Sequence, residues 1–329
     1  MNEFVYVLFL VLNFLITFVL TKIIIKFMRK KRVGQSILAD GPSWHLGKSG
    51  TPTMGGISFL ISCTACYLIF VFILACKNEI ELILDSFSVY IYAILNGAIG
   101  LLDDFKKAHK KQNKGLSAKS KFLLQSVAAV IFLILLFKFG KISTVINIPL
   151  LNISFDMGVF YYVLVFFVLC GFVNAVNLTD GIDGLASAVS LTVGILFSVA
   201  SLIGIKNEAV SFFAAMIVGS TVAFLIFNRH PAKIFMGDTG SLYLGGIIVA
   251  FAVIMNKPLI VILYGIMFFI EAISVILQVL YFKITKGKRL FKLAPFHHHL
   301  EKCGWSENKI VLIFSLINAV FCSITFFLL

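Results

Sequence analysis

The chain has 329 residues, 60% of them hydrophobic and only 13% charged, with a mean hydropathy of +1.03. A soluble domain carries about 25% charged residues, so this composition excludes an ordinary globular protein. A net charge of +13 would suggest a nucleic-acid binder in a soluble chain, but here the charges sit in short loops between long apolar runs, the pattern of a membrane protein with no nucleic-acid partner.

A spanning helix needs roughly 20 apolar residues. Ten stretches qualify, at about 3–28, 52–76, 80–102, 120–139, 157–176, 183–204, 208–227, 239–256, 258–283 and 309–328. None shows the apolar–polar alternation of a barrel strand. The expected fold is an all-α polytopic integral membrane protein with about ten transmembrane helices and both termini external, forming one domain over residues 1–329.

The first span has no basic residue ahead of it; Lys22, Lys26 and the run Arg29 to Arg32 lie at its far end. That order argues against a cleavable signal peptide and predicts an external N-terminus. The loop that follows contains Asp40-Gly-Pro-Ser-Trp-His45-Leu-Gly-Lys48 and Gly50-Thr-Pro-Thr-Met-Gly-Gly56. Its Pro and Gly give it a defined non-helical path, and His45 and Lys48 are candidate phosphate contacts.

In the second span, Cys63 and Cys66 form a C-x-x-C with no second pair or His nearby. A membrane-buried thiol there is ordinarily an apolar filler. The third span ends in Gly100-Leu-Leu-Asp103-Asp104-Phe-Lys-Lys107. Adjacent carboxylates need a cation or a raised pKa to coexist, and Mg²⁺ favours carboxylate oxygens together with substrate phosphates. A lysine run continues to residue 121. Topology explains most of it, with Lys107, Lys119 and Lys121 the candidates to hold phosphate as point charges.

Between the fifth and sixth spans lies Asn174-Ala-Val-Asn177-Leu-Thr-Asp180-Gly181-Ile-Asp183-Gly184. A short turn does not need this density of donors and acceptors. Asp180 and Asp183 share a face if helical, and their carboxylates suit sugar hydroxyls or a pyrimidine imide. Capping of the next helix by Thr179 or Asp180 is the plain alternative, and both roles can hold.

After the seventh span comes Asn228-Arg-His-Pro231-Ala-Lys-Ile-Phe235-Met-Gly237-Asp238-Thr-Gly-Ser241. A glycine-rich helix N-terminus favours phosphate, and Asp238 there suits a metal that bridges the phosphate. Phe235 is placed to stack on a base or to anchor at the interface. The motif is not a P-loop, since it lacks Gly-Lys-Ser/Thr.

The ninth span carries Glu271, Ser274 and Gln278 at helical spacing, so they must face protein, a partner or a cavity. The loop after it contains Ala294-Pro-Phe-His297-His298-His299-Leu-Glu301. Neighbouring side chains diverge, which disfavours one shared zinc; imidazoles that donate to phosphate or sugar fit better.

With an external N-terminus, the inner connections hold 23 of the 28 Lys and Arg, and five aspartates sit at the inner ends of spans: Asp103, Asp104, Asp180, Asp183 and Asp238. The positive bias fixes orientation, and carboxylates at an interface mark function.

These stretches together resemble the polyprenyl-phosphate N-acetylhexosamine-1-phosphate transferases. The Gly-Thr-Pro-Thr-Met-Gly-Gly run and the triple His point to the phospho-N-acetylmuramoyl-pentapeptide branch. The resemblance covers essentially the whole chain; Leu38 departs from it, where many relatives carry Arg. It implies ten spans, Mg²⁺, and transfer from UDP-N-acetylmuramoyl-pentapeptide to undecaprenyl phosphate, giving lipid I and UMP at the cytoplasmic face of a bacterial membrane. By that resemblance Asp238 is the metal ligand, Asp103 and Asp104 stand at the reacting phosphates, and Asp103 is the base. Lys48, Asn174, Asp180, Gly181, Asp183 and Phe235 line a uridine pocket, and His297, His298 and His299 bind the sugar or diphosphate; Asn177 and Asn228 are further substrate-binding candidates. The ninth helix is implied to bend beside a prenyl groove, and members are often dimeric.

Two rivals follow from the same residues. A transporter or flippase would place charges near the bilayer midplane in paired broken helices, whereas only Glu271 and Gln278 lie deep here. A transferase of N-acetylglucosamine-1-phosphate would share the aspartates but not the His-His-His loop.

Overall fold

The computed structural model describes residues 3–31, 34, 47–110, 115–148, 153–203 and 207–329. The stretch with Leu38, Asp40, Gly41, Pro42 and His45 lies outside the described residues, as do Lys111 and Lys114.

Twelve α-helices run in chain order: α1 (Glu3–Lys31), α2 (Ile57–Cys76), α3 (Ile80–Lys110), α4 (Ala118–Lys138), α5 (Val159–Thr179), α6 (Leu185–Ile203), α7 (Glu208–Asn228), α8 (Gly237–Ile254), α9 (Val261–Tyr264), α10 (Ile266–Ile284), α11 (Phe296–Lys302) and α12 (Glu307–Phe326). Among the described residues ten are long and apolar enough to cross a membrane, all but α9 and α11. An even number of crossings returns the chain to the side it started from. Local signals set two starts: the Ser117 hydroxyl accepts from the Ser120 N–H at α4, and the Asn207 side-chain Oδ1 accepts from the Val210 N–H at α7.

Helices α7 and α8 are the most enclosed, and α1, α4, α10 and α12 form the rim. Side chains such as Phe4, Leu8, Phe137 and Leu312 stay exposed on that rim, which is what a lipid solvent permits. Without a hydrophobic drive between helices, close backbone approach and polar contacts hold them together. Gly100 on α3 lies against the backbone of Asp238, and Gly56 lies against Gly240, so a Cβ at either would overlap α8. Asn13 donates to the Met216 carbonyl (2.7 Å), and Thr17 to Ser62 (2.8 Å), tying α1 to α7 and α2.

Two features depart from ten uninterrupted helices. A hairpin of β1 (Val145–Ile148) and β2 (Ile153–Asp156) joins α4 to α5, antiparallel with Val145 opposite Asp156. The ninth span opens with a 3₁₀ turn (Pro258–Ile260), continues as α9, and breaks at Gly265 before α10. The Phe172 ring packs against Gly265 where a Cβ would be, so the helix break falls on a residue with no side chain to clash.

Candidate active site

The cluster forms where α3, α4, α5 and α8 end together. Asp103 and Asp104 are buried in the last turns of α3. Asp103 Oδ2 pairs with Lys107 one turn on (2.6 Å), and Oδ1 accepts from the Leu116 N–H (2.6 Å). Lys107 also reaches Asp238 Oδ1 (3.3 Å), so one ammonium bridges carboxylates from two helices. On the other side of Asp238, Lys121 from α4 meets Oδ2 at 2.6 Å and donates to Asn177 Oδ1 at 2.9 Å. Asn177 in turn donates to Asp238 Oδ1 (3.2 Å) and to the Ser241 hydroxyl (2.8 Å).

Asp104 behaves differently from its neighbour. Its Oδ1 accepts from the Asp238 N–H (3.1 Å), and its Oδ2 accepts from the Thr239 N–H (2.9 Å) and hydroxyl (2.6 Å). The α8 N-terminus, expected to take substrate phosphate, is therefore filled by a carboxylate of the protein. The electrostatic reasoning holds, since an anion belongs there; the anion is Asp104.

Asp180 and Asp183 do not share a helical face. They lie in the turn between α5 and α6 and look into different clusters. Burial pushes the Asp180 carboxyl well above its ordinary range, helped by Asp238, Asp104 and Asp183 and opposed by Lys107. Thr179 donates back to the Ala175 carbonyl and does not cap α6.

Asp183 is buried in a second knot. Its Oδ1 meets Lys48 (2.7 Å), and its Oδ2 takes His230 Nδ1 (2.9 Å) and the Ala232 N–H (3.0 Å). Lys48 is shared with Glu307 of α12 (2.6 Å), so two carboxylates hold it. Sequence reasoning missed His230 and Glu307. Glu307 reads as an ordinary acidic first-turn residue, and His230 as loop.

The third group surrounds the histidines. His297 and Glu271 are both fully buried; Glu271 accepts from the His297 N–H (3.1 Å) and pairs with its Nδ1 (3.0 Å). The His297 Nε2 edge lies against Gly181, where a Cβ would overlap the ring. His298 pairs with Glu301 (2.6 Å). His299 instead accepts from the Lys292 N–H (3.1 Å) and stacks on Phe296, which assigns it to packing of α11. Gln278 accepts from the Leu290 and Phe291 N–H groups and holds the segment leading to α11. Glu271 and Gln278 thus face protein, as their helical spacing required.

The other candidates separate by their contacts. Asn174 is locked to Gln125 of α4 (2.7 Å), and buried Asn228 donates to the Ile234 carbonyl (2.9 Å), so both shape the site from behind. Phe235 is anchored through its backbone to Pro52 and Gly55, leaving a partly exposed ring. Lys119 is exposed, away from the carboxylates that hold Lys107 and Lys121.

Residues 86–256 match glycosyl transferase family 4, and residues 48–60, beginning at Lys48, match the phospho-N-acetylmuramoyl-pentapeptide-transferase signature. A protein of that name from Listeria welshimeri is 46% identical over 92% of this chain and 91% of its own. The chain belongs to the phospho-N-acetylmuramoyl-pentapeptide-transferase family. Members from Clostridium perfringens (42% identical, 96% of each chain) and Halalkalibacterium halodurans (43%, over 100% of this chain and 98% of its own) agree along the whole length. The family-4 match contains all five inner aspartates, while Lys48, Glu271, His297 and Glu307 lie outside it.

Proposed function

We propose that this chain transfers phospho-N-acetylmuramoyl-pentapeptide from its UDP donor to undecaprenyl phosphate, releasing UMP and giving lipid I. The site would face the cytoplasm of a bacterial cell, in line with the positive inner loops. The observation that carries the reading is the single network Asp103–Lys107–Asp238–Lys121–Asn177, built from the ends of four helices. Attack of one phosphate on another asks for positioning and charge neutralisation, which this network provides at one membrane face.

The residues fit a hard divalent cation. Asp103, Asp104 and Asp238 offer oxygens within 4.8 Å of one another, and beside burial the nearby Asp238 and Asp104 help push the Asp180 carboxyl up. Two lysines, Lys107 and Lys121, answer the three carboxylates Asp103, Asp104 and Asp238, so the cluster is short of positive charge. Asp238 would hold Mg²⁺ together with substrate phosphate oxygens, with Asp104 already committed to α8 and Asp103 left to take a proton. When bound, the ion neutralises charge on the transferring phosphates.

The remaining roles follow from the contacts. Lys107 and Lys121 turn from carboxylate to phosphate oxygens as substrate arrives. Asp103 takes the proton of the acceptor phosphate, and the acceptor oxygen attacks the sugar-linked phosphorus directly as UMP leaves. Phe235 stacks on uracil beside the 180–184 turn, and His298 meets the diphosphate side. The test is UMP release by purified protein in detergent with Mg²⁺, undecaprenyl phosphate and the UDP donor. Release should stop without lipid phosphate or with chelator. No release from folded protein, or release only with UDP-N-acetylglucosamine, overturns the reading.

A further inference from the structure

The knot around Asp183 joins four distant parts of the chain: Lys48 after α1, Asp183 after α5, His230 and Ala232 after α7, and Glu307 at the start of α12. Glu307 is central to it. Its Oε2 accepts from the Asp183 backbone N–H (2.9 Å) and from Lys48 (2.7 Å), its Oε1 also meets Lys48 (2.6 Å), and His230 Nδ1 lies 3.5 Å away. The Glu307 side chain is only 10% exposed and that of Asp183 2%. Hydrogen bonds to an enclosed carboxylate are short and strong, so they fix geometry as well as charge.

Asp183, His230 and Glu307 could in principle ligate a metal. Lys48 already bridges both carboxylates, and both Asp183 oxygens are taken by donors of the protein. The knot therefore carries its own cation and serves as a brace. What it braces is the 180–184 turn. Glu307 holds that turn by the Asp183 N–H, and His297 of α11 backs it at Gly181. Consecutive helices α11 and α12 thus grip the same turn at two points.

We infer that Glu307 is a positioning residue for nucleotide binding: through Lys48 and the Asp183 N–H it sets the turn that receives the uridine moiety. The inference rests on the proposed uridine pocket at that turn. It concerns binding of the donor, not the reacting phosphates, which lie on the Asp103–Asp238 side.

The test compares Glu307→Gln and Glu307→Asp with the parent enzyme by donor kinetics and by calorimetric titration of UMP alone. Glu307→Gln keeps size and one acceptor but removes one of the two charges that hold Lys48. About a tenfold rise in donor KM and in UMP Kd is expected, with kcat, the undecaprenyl phosphate KM and the Tm little changed, and with partial recovery in Glu307→Asp. A parallel loss of kcat, both KM values and Tm would mean a merely structural role and would overturn the inference. So would unchanged UMP affinity in Glu307→Gln alongside weakened affinity in Asp180→Asn, which would leave the uridine pocket standing. Unchanged affinity in both variants would remove the pocket and the inference together.

Discussion

The Asp104 carboxylate caps α8 from another helix, accepting from the Thr239 N–H at 2.9 Å and its hydroxyl at 2.6 Å. Asp103, one residue earlier, faces Lys107 instead. Two adjacent aspartates on α3 therefore do different work: one holds the helix that carries Asp238, and the other joins the Lys107–Asp238 network.

Substituting each separates the roles. Asp104→Asn exchanges an acceptor oxygen for a donor facing N–H groups, so thermal stability should fall by about 1–3 kcal/mol together with activity. Asp103→Asn should lower kcat by about 10²–10⁴ while the melting temperature stays near that of the parent. Thermal unfolding in detergent, paired with UMP-release kinetics, checks both.

Lys121 lies between Asn177 and Asp238. Lys121→Met should reduce kcat about 10- to 100-fold, because one charge at the transferring phosphate is lost, and should leave UMP affinity unchanged. A matched loss of UMP affinity would move Lys121 into the nucleotide pocket.

Glu271 holds buried His297 by two hydrogen bonds. Glu271→Ala leaves the His297 N–H and ring nitrogen without partners in a dry setting, and should destabilise by about 1–3 kcal/mol for each group left unpaired. Gly181→Ala should displace the same ring with little loss of helix content by circular dichroism, and should raise donor KM.

The raised Asp180 carboxyl has a sign that can be tested. A group whose pKa is higher in the folded state stabilises the fold at low pH and loses that contribution as pH rises through the folded value. Metal-free protein should therefore become less stable as pH climbs out of the ordinary carboxylate range. Mg²⁺ should restore stability at the upper end, and Asp180→Asn should flatten the profile. Melting curves across pH, with EDTA and then with Mg²⁺, measure all three.

The ten crossings were legible because an apolar run of about 20 residues has few other uses. The aspartates were legible because a charge at the edge of a membrane needs a reason. The hairpin was not, since four-residue strands give too little alternation to separate from loop. Nor was the Asp183–Glu307 contact, which joins positions 124 apart in the chain and whose second member reads as a favourable first-turn acid. Asn174 and Asn228 carry the residue type of a pocket, and nothing in the sequence names Gln125 and Ile234 as their hydrogen-bond partners. Residue chemistry restricts what a polar side chain can do; only packing says which partner arrives first.

Helix α3 spans 31 residues, about 46 Å at 1.5 Å per residue, well beyond a hydrocarbon core of about 30 Å. Counted from Ile80, Asp103 and Lys107 lie about 35 and 40 Å along it, where a slab that begins at the first turn would give way to lipid headgroups. A phosphate carried on a long prenyl chain already floats in that plane. The acceptor need not be lifted into solution or drawn toward the midplane; it arrives by sideways diffusion at the depth where the carboxylates and lysines wait. The length of one helix thus turns the enzyme's search for one of its two substrates from a problem in three dimensions into one in two.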